Sequence, residues 1–223
     1  MKYFCLTLLL ALSLTSCIQD DIVFDTVEPE LRITQAVDTI GLGTDYQFEA
    51  IFLNNAGVAE AIDILWESSA PDIISIDADG LATALQEGSA IITASFDDGT
   101  TLTQDVVEVH TGAETISLPV ERSGVISTTT FYLLEGDFIL REEGSDLVLD
   151  IAENYRASTA LPGLYIYLTN NPNTIANALE IGEVETFNGA HSYTIPNTGL
   201  NTYDYVLYFC KPFNVKVGDG QIQ

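Results

Sequence analysis

The feature that most limits the fold of this chain is a series of short apolar runs, separated by turn residues, from residue 31 to residue 217. Runs of about four to eight residues bounded by Gly, Asn, Asp or Ser are typical of β-strands. The segment Asp146–Ile151, in which apolar and acidic residues alternate, predicts a strand with one face in water. An apolar pattern of helical period is found over about two turns, at Thr174–Leu179. We therefore predict an all-β protein.

The length of 223 residues is enough for two domains, each of which buries a core of its own. A boundary between the two domains is predicted at Thr111–Glu114. Residues 31–111 carry about seven strand-like runs, which is typical of an Ig-like β-sandwich. Residues 112–223 carry about eight, which predicts a second antiparallel sandwich or barrel. The predicted strands of this second half include the runs 131–134, 146–151, 164–169, 203–209 and 213–217.

The charge of the chain excludes most roles in nucleic-acid binding. All 33 acidic residues lie at or after Asp20, as do six of the seven basic residues, so that part of the chain carries an excess of 27 negative charges. Binding to phosphates needs clustered Lys and Arg, and the six cations are scattered along the sequence. We predict no nucleic-acid partner.

The first residues have the pattern of a signal peptide. Lys2 is followed by an apolar run of roughly ten residues, which is too short to span a bilayer. Leu14-Thr-Ser-Cys17 resembles the bacterial lipobox, in which the cysteine becomes the lipidated first residue; the alternative is an ordinary signal peptide with a chance cysteine. We predict a signal peptide at residues 1–16, which removes Cys5, and a lipidated Cys17 with an acidic tether at residues 17–30.

The acidic run Ile18–Asp21, directly after Cys17, resembles the surface-export signal of lipoproteins in Bacteroidota-type bacteria. The resemblance implies a protein attached to the outer membrane by lipid and exposed at the cell surface. The predicted partners are therefore the membrane, through the anchor, and an extracellular protein, glycan or redox partner.

Residues 31–110 are similar to the bacterial Ig-like domain of group 2. The similar blocks are Trp66-Glu-Ser-Ser69, Asp79-Gly-Leu-Ala-Thr-Ala84 and Gly88-Ser-Ala-Ile-Ile-Thr-Ala94. The resemblance implies an Ig-like sandwich without an inter-sheet disulfide, used as a spacer or adhesion module. Trp66 is then a core residue. Asp79-Gly80 predicts a tight hairpin, because Asp and Gly tolerate positive φ.

The acidic residues before Gly80 do not form a calcium-binding loop of the EF-hand type. If Gly80 occupied the sixth position of such a loop, the first ligand would be Ser75 and the twelfth Gln86, where Asp and Glu are required. We predict no metal site.

The second half resembles the DM-thirteen domain, a family found beside DOMON domains and described as an electron-transfer domain. The similar blocks include Gly163–Thr169, Leu179–Val184 and Tyr205–Val215. The nearly invariant cysteine of the family corresponds to Cys210. The resemblance implies redox chemistry at this cysteine, either as a bare thiol or by holding a prosthetic group such as haem.

Three roles are open for Cys210: a structural side chain, a redox thiol, or a cofactor ligand. With Cys17 lipidated, Cys210 has no partner for an intramolecular disulfide. In an unbroken strand Val206, Tyr208 and Cys210 share one face, although Pro212 favours an interruption. Lys211 would then point away from the thiol, and the surrounding carboxylates disfavour the thiolate.

Sequence signatures of hydrolases, zinc proteases, P-loops and dinucleotide-binding folds are missing, and His110 and His191 are predicted surface residues. The first functional hypothesis is a surface lipoprotein whose Ig-like stalk presents a DM-thirteen domain with a redox role at Cys210. This hypothesis requires a reachable thiol. The second is a non-catalytic adhesion or scaffold lipoprotein that binds a glycan or protein through aromatic residues and buries Cys210. The aromatic candidates are Tyr165, Tyr167, Tyr203 and Tyr208.

Overall fold

The computed structural model describes residues 26–117 and 121–223. The predicted signal peptide, Cys17 and the tether up to residue 25 lie outside the described residues. The prediction of an all-β protein is confirmed, since the elements of the described part are strands and one short 3-10 helix, Lys211–Phe213. No helix in this part is long and apolar enough to cross a bilayer.

Strands of the first domain form three small sheets around one core. A five-stranded sheet has the order β11-β2-β10-β9-β6, and two three-stranded sheets have the orders β1-β4-β5 and β3-β8-β7. The strands are β1 (Glu30–Ile33), β2 (Val37–Gly41), β3 (Asp45–Gln47), β4 (Ala50–Leu53), β5 (Ala59–Glu60), β6 (Leu65–Ser68), β7 (Ile74–Ile76), β8 (Leu81–Ala84), β9 (Ser89–Asp97), β10 (Leu102–Gly112) and β11 (Ile116–Ser117).

Trp66 and Phe48 lie in the core of this domain with their ring centroids 6.0 Å apart. The predicted hairpin at Asp79-Gly80 joins β7 to β8. The Asp77 carboxylate accepts hydrogen bonds from the backbone N–H groups of Asp79 and Leu81, and Gly80 has a φ of 82°. These acidic residues therefore organise a turn, as the hairpin pattern predicted.

The sheet of the first domain continues beyond the predicted domain boundary. β10 ends at Gly112, and β11 returns along β2 with Ile116 opposite Thr39. The second domain begins with β12 at Glu121. The boundary predicted between residues 111 and 112 falls inside β10. The sheet then extends to Ser117, because the free edge of β2 pairs with β11, which follows β10.

The second domain is one nine-stranded antiparallel sheet that curls into a nearly closed barrel. Its order is β17-β16-β19-β20-β12-β13-β14-β18, and β15 pairs with β13. The strands are β12 (Glu121–Thr128), β13 (Leu134–Glu143), β14 (Asp146–Ile151), β15 (Arg156–Ala157), β16 (Leu164–Thr169), β17 (Leu179–Glu183), β18 (His191–Ile195), β19 (Tyr205–Cys210) and β20 (Val215–Gln221).

Both faces of β16 and β19 are covered. The inner face, with Val206 and Tyr208, belongs to the main core of the barrel, and the outer face, with Leu207 and Phe209, packs beneath the 170–178 loop. Two buried faces explain why these strands read as continuous apolar runs in the sequence.

The prediction of a helix at Thr174–Leu179 is wrong. Residues 174–178 form turns, in which the Ala178 N–H donates to the Ile175 carbonyl, and Asn177 adopts a left-handed φ of 61°. The apolar residues of this segment cover the outer face of β16 and β19 instead of lining one side of a helix. The apolar spacing of this segment resembles a helical period, but it serves packing against the outer face of the sheet.

The two domains meet through a polar joint. The Arg32 side chain of β1 donates to the Asn201 carbonyl at 2.8 Å and forms an ion pair with Asp204. Asn201 donates back to the Thr34 carbonyl at 2.8 Å. Next to these contacts, the β4–β5 hairpin at residues 54–57 lies against Asn170. We refer to these contacts as the joint.

The described chain starts beside the joint. The Val27 N–H donates to the Asn55 carbonyl at 2.9 Å, and Asn55 belongs to the hairpin that touches the second domain. Val27, in the segment predicted to be a tether, is therefore bound where the two domains meet, and not at the far end of the first domain.

Candidate functional site

Cys210 ends β19 with its thiol in the core of the barrel. The side chain is 1% exposed, and its Sγ donates a weak hydrogen bond to the Pro162 carbonyl at 3.4 Å. Val206 and Tyr208 lie in the same core, as the strand alternation predicted. Among the described residues Cys210 is an unpaired cysteine. The thiol is thus packed as an apolar side chain and is not presented in a cleft.

The predicted interruption after Cys210 is confirmed. Lys211, Pro212 and Phe213 form the 3-10 helix, and Asn214 ends it in a left-handed conformation with φ 53°. The alternation of side chains is reset, because Val217 of β20 returns to the same core as Cys210. Phe213, predicted to share the face of Val217, is instead exposed.

Lys211 faces away from the thiol, as predicted. Its Nζ lies 2.7 Å from Glu180 Oε2 and 4.7 Å from the centre of the Tyr165 ring, on the outer face of the barrel. The hydrogen bond to Glu180 raises the pKa of Lys211, and the same bond lowers the pKa of Glu180. Lys211, which follows Cys210 in sequence, is therefore paired with Glu180 and does not activate the sulfur.

A haem bound through Cys210 does not fit this environment. The sulfur is enclosed by the core, and a macrocycle placed against it would need strands β16, β19 and β20 to separate. The His191 ring packs on Tyr155 and Tyr193, its Nδ1 pairs with the Gly189 carbonyl at 2.9 Å, and its buried Nε2 has no hydrogen-bond partner among the described residues. His110 is exposed and belongs to the first domain.

The four tyrosines considered as ligand-binding residues are split between the interior and the surface. Tyr208 is completely buried in the barrel core, and Tyr167 is buried on the outer face, where its hydroxyl donates to Glu180 Oε2 at 3.0 Å. Burial, followed by that hydrogen bond, raises the pKa of Tyr167 to about 12. Tyr165 and Tyr203 are partly exposed. Only these two are placed to meet a ligand from solution without a change in the fold.

A group of charged side chains lies at the joint. The Arg32 guanidinium bridges Asp204 and Glu30, with its Nε 3.0 Å from Glu30 Oε1, and Arg122 approaches Asp204 at 4.0 Å. Burial raises the pKa of Asp204 to about 6 even though both arginines favour its charge. Burial opposes the charge of Arg32, but its hydrogen bond to Glu30 and the charge of Asp204 raise its pKa overall. The joint therefore contains a buried ion pair that depends on both domains.

Sequence reasoning missed an exposed apolar group at the opposite end of the barrel. Residues 129–133, predicted to belong partly to a strand, form a loop in which Phe131 is fully exposed. Tyr132 and Leu133 follow it, and Phe213 and Val215 lie on the neighbouring chain segment. We call Phe131, Tyr132, Leu133, Phe213 and Val215 the apolar tip. The sequence signal that could have identified the apolar tip is the absence of acidic residues from the segments around it.

Two surface depressions lie in the first domain. One of about 290 Å³ is lined by Phe52, Ala59 and Ile64 among others, and one of about 350 Å³ by Val27, Phe96 and Thr103 among others. Cys210 lines neither of them. In the described part of the chain, no group of three or more His, Cys, Asp or Glu side chains is arranged to hold a metal ion.

No family model matches the chain, and no curated protein matches it. Among solved structures, domains 4 and 5 of the S-layer protein SbsC match with 13% identity and a TM-score of 0.29, over 87% of this chain and 97% of that one. The structure of rSbsC(31-844) matches with 12% identity and a TM-score of 0.28, over 86% and 27%. SbsC domains 1–6 match with 11% identity and a TM-score of 0.28, over 89% and 40%. A likeness at this level carries no argument about function.

Proposed function

We propose that this chain is a lipoprotein of the bacterial cell envelope, anchored to the outer membrane through Cys17 and exposed at the cell surface, whose two β domains form a non-catalytic binding scaffold. The first domain corresponds to the resemblance to group 2 Ig-like domains and the second to the resemblance to DM-thirteen domains. The observation that carries the proposal is the burial of Cys210, the residue on which a redox role would depend.

The surroundings of Cys210 favour a structural role. A thiol that acts in redox exchange must reach its partner as a thiolate, and such cysteines lie in partly exposed, electropositive places. Cys210 is instead enclosed by apolar side chains, and the neighbouring lysine is paired with Glu180 on the other face of the strand. Free cysteine in such a setting packs as a small apolar residue.

The position of the tether supports a scaffold whose domains lie on either side of the anchor. Residue 27 is bound to the hairpin at the joint, so the tether starts between the two domains. With Cys17 as the lipidated residue, nine Cα-to-Cα steps separate it from Thr26, which span at most about 30 Å. The joint would thus stay close to the membrane, and the first domain would act as a second arm of the molecule.

The role of Cys210 is tested by maleimide labelling of the mature chain carrying Cys17→Ser, so that Cys210 is its remaining thiol. Ser145→Cys, on the exposed β13–β14 turn, provides a reactive control in the same protein. We expect Cys210 to label more than about a thousandfold more slowly than Cys at 145, because opening of a core costs about 5 kcal/mol or more. Comparable rates in the native protein would refute the scaffold proposal and favour the redox role.

The anchor is tested in the bacterial cell with the full chain. We expect the wild-type protein to fractionate with the outer membrane, to carry acyl chains at Cys17 by mass spectrometry, and to be cleaved by protease added to intact cells. Cys17→Ser should abolish acylation and membrane fractionation. An unacylated mature protein in the wild type would overturn the anchored part of the proposal.

A further inference from the structure

The apolar tip lies where three chain segments meet at one end of the barrel. The Thr129 N–H donates to the Val217 carbonyl, the Ser158 N–H to the Leu133 carbonyl, and the Lys211 N–H to the Gly163 carbonyl. The segments 128–134, 158–164 and 210–217 are thus tied together by backbone hydrogen bonds. Phe131 and Phe213, which are fully and 66% exposed, lie on the outside of this end.

The loop that carries Phe131 is ordered by threonine hydroxyls. Thr128 Oγ1 donates to the Tyr132 carbonyl at 2.8 Å and accepts from the Thr130 N–H at 3.1 Å. Thr130 Oγ1 in turn accepts from the Tyr132 N–H at 3.2 Å. Because these bonds order the backbone of the loop in a conformation that exposes Phe131, the loop loses little further backbone freedom on binding.

The charge of the tip differs sharply from that of the rest of the molecule. Its three segments contain 22 residues without one Asp or Glu, where about three would be expected from the 33 acidic residues of the chain. They contain Lys211 and Lys216, which pair with Glu180 and Asp219. Carboxylates return directly behind the tip, at Glu135 and Glu183. An otherwise strongly acidic protein thus has one neutral, apolar end.

The distances allow this end to touch the membrane that holds the anchor. β19 runs from Tyr205, beside the joint, to Cys210 at the tip, and six residues of strand span roughly 20 Å. When the tip rests on a membrane, the joint lies about that far above it, within the roughly 30 Å that residues 17–26 can span. This step rests on the proposed anchor at Cys17.

We propose that the apolar tip is a membrane-contact site that inserts Phe131, Phe213 and their neighbours into the interface of the bilayer to which the protein is anchored. Aromatic and aliphatic side chains partition into the interface in proportion to the apolar area they bury there. The tip is too small to bind strongly alone. Tethering makes the second contact intramolecular, at an effective concentration in the millimolar range, so a weak affinity is enough to fix the orientation of the molecule.

The first test uses the mature chain with Cys17→Ser, which has no anchor, and vesicles of phosphatidylcholine and phosphatidylethanolamine. Phe131→Ser combined with Phe213→Ser should lower the vesicle partition coefficient about tenfold, since two exposed phenyl groups are lost. Leu65→Ser combined with Leu102→Ser removes two other exposed apolar side chains, 58% and 59% exposed, from the first domain and should leave the partition coefficient unchanged. Equal effects of the two pairs would overturn the proposal.

The second test uses the lipidated protein in the same vesicles, with an environment-sensitive dye on Phe131→Cys or Ser145→Cys. The dye at 131 should brighten and shift to the blue, while the dye at 145 should report water. If the protein is acylated and vesicle-bound but the dye at 131 stays in water, the membrane contact is refuted and the anchor stands. If acylation fails, the first test still decides the tip.

A protein partner at the tip would give a different result. Sedimentation of the unlipidated chain should show no self-association that depends on Phe131 and Phe213. A change of oligomeric state on substitution of these residues, without a change in vesicle binding, would assign the tip to contacts between copies of the chain and would refute the membrane proposal.

Discussion

Replacing Arg32 by Met should uncouple the two domains. Arg32 is the group at the joint that bonds to a second-domain carbonyl, at Asn201, while neutralising a second-domain carboxylate, at Asp204. Met keeps most of the apolar stem but removes the charge and all the hydrogen bonds. Asp204 would then stay buried next to Glu30, with Arg122 at 4.0 Å as its remaining cation.

The size of the effect follows from this geometry. Removing one partner of a buried ion pair costs about 3–5 kcal/mol, because the other charge is left without compensation. Arg122 offsets part of this cost, whereas the lost hydrogen bond to Asn201 adds about 1 kcal/mol. We expect Arg32→Met to cost about 3 kcal/mol at pH 8. Asp204→Asn in the Arg32→Met background should recover most of this, since no buried charge remains.

The loss should depend on pH in a defined direction. Burial raises the pKa of Asp204 to about 6 in the folded protein, above its ordinary value near 4. A raised folded-state pKa gives stability that is present below pH 4 and is lost as the pH rises towards 6. In Arg32→Met this loss should be larger and extend to higher pH, because the favourable charge of Arg32 is gone. The variant should therefore approach wild type at pH 4–5.

Urea unfolding provides the assay. The chain has one tryptophan, Trp66, which is buried in the first domain and reports its unfolding by fluorescence, while circular dichroism follows both domains. In Arg32→Met the two transitions should separate. Arg141→Met is the control, because Arg141 pairs with Glu143 and Asp150 on the surface and should matter little. A loss below 1 kcal/mol that does not vary with pH would refute a buried, coupling ion pair.

Three further outcomes are expected. Gly57→Ala should weaken the joint more than Gly43→Ala weakens the first domain. Both glycines have a positive φ, 73° and 78°, but a Cβ at position 57 would lie 2.9 Å from the Asn170 backbone, whereas a Cβ at position 43 meets nothing within 4 Å. Equal losses of stability in urea unfolding would contradict the described contact. Tyr208→Phe should leave the free energy of unfolding unchanged or raise it by up to about 1 kcal/mol, since the buried hydroxyl makes no well-formed hydrogen bond among the described residues and interacts only with the Tyr155 hydroxyl. A clear loss would show that this interaction is stabilising. Burial raises the pKa of Tyr208, so stability should be lost as the pH rises above 10, with tyrosinate absorbance appearing together with unfolding; titration of all tyrosines in a protein that stays folded would refute this burial.

Much of the fold could be predicted from the sequence, because strand periodicity and turn chemistry are local. The hairpin at Asp79-Gly80, the core position of Trp66 and the side-chain parity of β19 up to Cys210 were all recognisable from neighbouring residues. The helix at Thr174–Leu179 was predicted wrongly for the complementary reason. Its apolar spacing serves a distant surface, the outer face of β16 and β19, which no local pattern describes.

The candidate sites divide in the same way. The sequence by itself determined that Cys210 is the one cysteine after residue 17 and that the chain is strongly acidic, since both depend only on which residues are present. Only the tertiary structure decided that Cys210 is enclosed by core side chains, that Arg32 and Asp204, 172 positions apart, share a buried ion pair, and that three acid-free segments converge on one apolar tip. Burial and convergence arise from contacts between residues far apart in the chain, and local sequence carries no record of those distances.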